Sequence, residues 1–389
     1  MAETWKKDYL VLFALTLAHH CAVVCFFAFP LQVVAWGYGV MGVALLAFAM
    51  DVTVVGVRPL VKWLLDTFSA RAALFLASLF LLATPFVMAW AGSSLPLLVL
   101  GRMCHGLSLS LLLVGSLVYA HAALPPLMAR RGILWLGITS MLPYLFMVSL
   151  AEKTITTGRI NLFYAILAFL GSASLLLSVF LKPHRTVAKH RVTMKGLVGV
   201  PAFRGLLMLA FSGAMVICVT NNFMALLLVE RGIPVSAFFI PFALATLALR
   251  GPLAFRIERL DPRRVITGCF AVMAVAVLGE AFSMTVWVFV VFALLHGAGF
   301  GPLEPFIFSF TAEVFPHDRN AVFTGVMTAE DAAWASGPLL GGLLGSVSVV
   351  FAWAGAAGLA GLAGLGSARW LFTGDIARRM VRHRRTMRG

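Results

Sequence analysis

Long apolar runs, separated by short polar breaks, set the pattern of this chain from end to end. A helix that crosses a membrane needs about 20 mainly apolar residues. That rule predicts twelve spans, at roughly 9–30, 38–58, 71–92, 96–122, 132–151 and 161–181, then 204–229, 236–255, 265–283, 286–311, 321–345 and 349–372. No polar stretch is long enough for a separate soluble domain. The longest interruption, 182–203, divides the chain near its middle. The expected organisation is a six-helix bundle at 1–181, a linker at 182–203, and a second six-helix bundle with a basic tail at 204–389.

The two halves share a pattern. Arg58-Pro59-Leu60 ends one apolar run and Arg250-Gly251-Pro252-Leu253 ends another. Forty-odd residues after each comes a His-Gly pair, His105-Gly106 and His296-Gly297. A polar loop then carries an arginine, Arg131 or Arg319, with Gly137 or Gly325 six residues on. Many transporters are built from such internal repeats, with the substrate near the midplane.

Composition agrees. The chain is 61% hydrophobic and only 12% charged, where soluble domains carry about 25% charge. A net charge of +15 would otherwise suggest nucleic acid, but its distribution excludes that partner. Lysine and arginine crowd alternate loops: Lys6 and Lys7, Lys62 and Arg71, Arg130 and Arg131, Lys182 to Arg204, Arg256 to Arg264, Arg319, and the tail from Arg378. The intervening loops hold only Lys153, Arg159 and Arg231. Positive charge marks the cytoplasmic side, so both termini are expected there, in a bacterial cytoplasmic (inner) membrane. The tail could also touch anionic lipid. The five cysteines lie in apolar runs without a CxxC pair and read as small core residues. The first apolar run is too long for a signal-peptide core and reads as a retained span.

The loop Arg58-Pro59-Leu60-Val61-Lys62-Trp63-Leu64-Leu65-Asp66-Thr67-Phe68-Ser69-Ala70-Arg71 resembles the cytoplasmic signature loop of the major facilitator superfamily, R-P-L-x-G-x-L-x-D-R-x-G-R-R. Lys62 stands where the family has glycine, and Thr67 where it has arginine after the aspartate. In the fourth span, Arg102-Met103-Cys104-His105-Gly106 resembles the family's R-x-x-Q-G, with His105 for glutamine. The resemblance implies an all-α membrane protein with twelve transmembrane helices in two pseudo-symmetric bundles. It further implies a central cavity, a proton-coupling role for Arg102, and a cytoplasmic gate at Arg58, Pro59, Asp66, Arg71 and Arg131. Arg259 occupies the slot of Asp66 in the weaker second copy. Gly337-Pro338-Leu339-Leu340-Gly341-Gly342 looks like a family antiporter pattern, but it falls in the eleventh span rather than the fifth. Close helix packing is the reading favoured for those glycines.

Ionisable groups inside lipid are functional suspects. Asp51, Arg102, Glu330 and Asp331 are candidate proton-coupling residues. His19, His20, His105, Asn221, Asn222, His296 and Glu304 are candidate substrate contacts. Adjacent residues point in different directions, so one of His19 and His20 is expected to line the pathway. Glu304, between Pro302 and Pro305, is expected to mark a helix bend, and Glu280 to lie at a membrane interface. No HxxxH or CxxC spacing supports a metal site, no phosphate-binding loop supports ATP drive, and no cofactor or enzymatic nucleophile is expected. The function expected is proton-coupled efflux of a drug-like compound, metabolite or metallophore by a monomer, with small-molecule substrate, protons and membrane lipid as partners. The alternatives are a proton-coupled importer of a small organic anion, with Arg102 as counter-ion, and a non-transporting receptor or scaffold.

Overall fold

In the computed structural model, residues 4–183, 197–254, 260–315 and 319–372 are described. Every regular element among them is helical. The chain divides into two compact units, Met1–Lys189 and His190–Gly389. The first contains α1 (Thr4–Cys25), α2 (Pro30–Ala35), α3 (Gly39–Gly56), α4 (Arg58–Thr67), α5 (Ala70–Ala91), α6 (Leu95–Ala123), α7 (Pro126–Met141), α8 (Met147–Thr156) and α9 (Ile160–Phe180). The second contains α10 (Pro201–Glu230), α11 (Ser236–Ala254), α12 (Pro262–Phe282), α13 (Val286–Val314), α14 (Arg319–Val347) and α15 (Val349–Phe372).

Among the described residues, ten helical stretches are long and apolar enough to cross a membrane. Two further helices stand where the eighth and eleventh spans were expected. One is apolar over only Ser236–Arg250. The other, α14, is long, but Glu330, Asp331 and a run of small residues dilute its apolar content. The chain is therefore a multi-pass integral membrane protein. One expected span needs correction: 132–151 is not a single helix. α7 stops at Met141, a 3₁₀ turn runs through Leu142–Leu145, and α8 continues to Thr156. Pro143 in that turn lacks an N–H and cannot continue the ladder. Pro302 and Pro305 do not have this effect, and α13 runs through both without a break.

The two units reuse the same neighbour pairs. In the first, α3 packs on α6, α5 on α6 and α9, and α1 on α9; in the second, α11 packs on α13, α12 on α13 and α15, and α10 on α15. The repeat extends to single atoms. A Cβ added at Gly106 would sit 2.3 Å from the Met50 carbonyl oxygen, and one at Gly297 would sit 2.2 Å from that of Phe242. Ser78 and Ser174 join hydroxyls at 2.8 Å between α5 and α9, and Thr267 and Ser367 do so at 3.1 Å between α12 and α15. Hydroxyl pairs of this kind satisfy polar groups that lipid cannot. Gly337 and Gly341 pack α14 on α10, where added Cβ atoms would meet Cys218 and Phe223 at 2.7 and 2.6 Å. Gly361 has open space around it.

The signature-like loop folds as α4, an amphipathic helix. It buries Val61, Leu64 and Leu65 and leaves Leu60 and Trp63 exposed. Ser69 caps α5 by accepting from the Ala72 N–H at 3.2 Å, and Arg71 donates to the Val179 carbonyl at 2.9 Å. Asp66 is paired with Lys62 one turn earlier, and both side chains are well exposed. Exposed pairs one helical turn apart contribute about 0.3–0.5 kcal/mol, so Lys62→Ala should move the unfolding free energy by no more than about 0.5 kcal/mol. Denaturation of the purified variant checks this.

Candidate functional site

The first unit gathers its polar groups where α1, α3 and α6 meet. At about 1.5 Å per residue, Asp51 lies about 18 Å along α3 and His105 about 15 Å along α6. Asp51 is 4% exposed and Arg102 is 6% exposed. Arg102 donates from Nη1 to His105 Nδ1 at 2.9 Å and from Nε to the Leu46 carbonyl at 3.3 Å. Its guanidinium carbon lies 4.8 Å from the centre of the Phe26 ring, which adds a cation–π attraction. His105 also lies against Phe26, with ring centres 4.4 Å apart and the planes tilted by 32°. Asp51 and Arg102 act on each other electrostatically, yet no direct ion pair joins them.

The hydrogen bonds fix the tautomers. Arginine can only donate, so His105 Nδ1 is an acceptor and a neutral ring carries its proton on Nε2. Ser108 donates to the Ala77 carbonyl at 2.7 Å. His19 Nε2, 3.0 Å from the same hydroxyl, must therefore be the donor, which leaves His19 Nδ1 as a bare acceptor. Three buried atoms then lack partners: His19 Nδ1, His105 Nε2 and Asp51 Oδ2. They comprise two acceptors and one donor. Buried polar atoms without partners are costly and suit a site completed by a water, a proton or a substrate group.

His20 points elsewhere. Its Nδ1 lies 3.2 Å from the Thr139 hydroxyl on α7, so the two adjacent histidines serve different helices. His19 is the one that joins the Ser108 and His105 group.

The remaining candidates lie in the second unit. Asn221 and Asn222 are buried on α10, and Asn222 donates to the Cys218 carbonyl at 2.9 Å within its own helix. Glu330 and Asp331 are half-buried on α14. Glu304 pairs with Arg250 at 3.0 Å. Arg250 also donates to the Gly301 carbonyl at 3.0 Å and lies over the Phe300 ring at 5.6 Å. His296 is fully buried and 3.0 Å from Glu280. Of the expected gate residues, Arg58, Pro59 and Asp66 lie on α4, Arg71 on α5 and Arg131 on α7. Arg259 and the basic tail fall outside the described residues.

Sequence reasoning missed several participants. Glu280, expected at an interface, is 0% exposed. It sits two residues from the end of an apolar run, a place that reads equally well as a snorkelling acid. Beside it, Arg231 donates to the main-chain carbonyls of Glu280 and Ser283 at 2.6 and 2.8 Å and also to that of Ala281. These bonds cover the open end of α12. Partial burial lowers the pKa of Arg231, with Glu230 opposing the shift. Ser108 and Phe26 carried no sequence signal beyond residue type, and Arg250 was marked only as part of the repeat, not as the partner of Glu304.

The family model described as Major Facilitator Superfamily matches residues 230–386. No curated protein sequence matches the chain. Among solved structures, the nucleoside transporter NupG superposes with a TM-score of 0.73 at 15% identity, covering 94% of this chain and all of that one. The human organic anion transporter MFSD10 (TETRAN) gives 0.68 at 15% identity, over 94% and 99%. A bacterial homologue of the human lysosomal transporter Spinster, inward-facing and occupied, gives 0.72 at 13% identity, over 97% and 98%. Residues 230–386 thus match the Major Facilitator Superfamily model, and over nearly its whole length the chain has the fold of these solved transporters.

Proposed function

We propose that the chain is a proton-coupled secondary transporter that exports a small cationic or zwitterionic molecule, a metabolite, drug-like compound or metallophore, by alternating access. The observation that carries the reading is the Asp51 carboxylate, buried in the first unit with Oδ2 unpartnered and the Arg102 charge acting on it. A carboxylate held so can take a proton, becoming neutral, or give it up while Arg102 offsets the charge. His105 and His19 add a donor and an acceptor for a water or a substrate group. The site favours a cation over an organic anion because Arg102 is already committed to Leu46 and His105 within its own unit. The membrane is expected to be the bacterial cytoplasmic membrane, with both termini inside.

Counterflow in proteoliposomes tests transport itself: labelled compound should exchange against a trapped pool, and a receptor or scaffold would give none. An imposed pH gradient should then drive accumulation on the acidic side. Accumulation on the alkaline side would identify proton symport, and with it import, as the direction. Accumulation that ignores the gradient would remove the proton from the mechanism.

A further inference from the structure

His296 and Glu280 form a pair that the transport reading above does not use. Both side chains are 0% exposed. Glu280 Oε1 and Oε2 lie 3.0 and 3.3 Å from His296 Nδ1. Oε2 also accepts from the Trp353 indole N–H at 3.3 Å, and Trp353 is fully buried on α15. His296 Nε2 has no partner. A carboxylate that accepts from an indole holds the proton of the imidazole bond on Nδ1, so the free nitrogen of a neutral ring is a buried lone pair.

From this geometry we propose that the second unit has a proton-binding site of its own, in which His296 Nε2 takes up and releases one proton opposite the Glu280 carboxylate. The step is a simple addition: a hydronium gives its proton to the Nε2 lone pair and leaves as water. Two opposite charges side by side are far cheaper to bury than one alone, so the protonated pair is a neutral unit. The unprotonated pair carries one negative charge, and the structure supports that state too. Trp353 donates to the carboxylate, and the Arg231 guanidinium rests on the Glu280 carbonyl.

Among the described residues, the other charged side chain bonded at this pair is Arg231, which meets the main chain of Glu280. α11 presents Phe238 and Phe242, whose ring centres lie 5.5 and 5.4 Å from the imidazole. α12 supplies Glu280, α15 supplies Trp353, and the segment after α10 supplies Arg231. α10 itself and α14, though packed on α13, make no hydrogen bond or ion pair with either side chain. The corresponding histidine of the first unit, His105, faces arginine instead of a carboxylate. The same position in the repeat is thus set against charge of opposite sign.

The proposal does not depend on Asp51 or on transport, and its test needs no substrate. The full chain, labelled with isotope at histidine and held in lipid nanodiscs, is followed by NMR across about pH 5 to 9, the range where histidine commonly titrates. His296→Gln identifies the signal. The His296 ring should pass from imidazolium to the neutral Nδ1–H form, and Asp51→Asn should leave that transition in place. Glu280→Gln should abolish the imidazolium in this range. A His296 ring that stays in one state throughout in the unaltered protein overturns the proposal. So does an imidazolium that survives Glu280→Gln unchanged, or a transition that disappears with Asp51→Asn.

Discussion

Asp51→Asn should abolish uphill transport while leaving exchange intact. Each proton moved down about 100 mV of driving force supplies about 2.3 kcal/mol, enough for a concentration ratio of about fifty-fold. Asparagine keeps the size and the hydrogen-bonding capacity of the side chain but cannot carry a proton. Gradient-driven accumulation in proteoliposomes should therefore fall about fifty-fold per proton lost, toward the equilibrium value. Counterflow, which needs no net proton movement, should persist. Retained accumulation in the variant would remove Asp51 from coupling. The neighbouring groups sharpen the test. Arg102 is bonded to Leu46 and His105, so the asparagine removes one charge from a site whose other members stay held.

Gly297→Ala should be among the most damaging single-methyl changes in the second unit, with Gly106→Ala its counterpart in the first. At each place the new Cβ would fall about 2.2–2.3 Å from a backbone carbonyl oxygen on the neighbouring helix. A flexible side chain could turn away; a carbonyl inside a helix can move only if the helix moves. Overpacking of a tight core costs about 1–3 kcal/mol and occasionally more, and rigid backbone on both sides puts these sites at the upper end. At Gly297 the same methyl would also meet the Phe242 carbonyl carbon and Cα at 2.9 and 3.0 Å. Thermal unfolding in detergent should show a lower midpoint for both variants. Gly361→Ala, which meets nothing within 4 Å, should leave the midpoint unchanged.

The scaffold was readable because lipid enforces it. A chain that must satisfy every backbone group internally writes each crossing as an unbroken apolar run, and the runs appear as helices at the places expected. The fifth span stands near its expected place, at Trp135–Thr156, but not as one helix, because Pro143 lies in a 3₁₀ turn that interrupts it. The doubled His-Gly motif pointed to a real equivalence, since each glycine lets a neighbouring carbonyl approach. The polar groups were legible as residue types and illegible as partners. His19 and His20 could not be assigned until Ser108 on α6 and Thr139 on α7 were seen to bond them separately. Glu280 was misjudged because its carboxylate meets a histidine sixteen residues later and a tryptophan about seventy later. No local pattern in the sequence records such a meeting.

The exposed pairing of Lys62 with Asp66 has a consequence for timing. An interaction of about 0.3–0.5 kcal/mol is smaller than the thermal energy of about 0.6 kcal/mol, so the acid swaps partners on the timescale of side-chain rotation. Dissolved ions weaken its attachment further. Whatever passing cation reaches this turn meets an acceptor that is already half free, and it needs no slow release step before docking there.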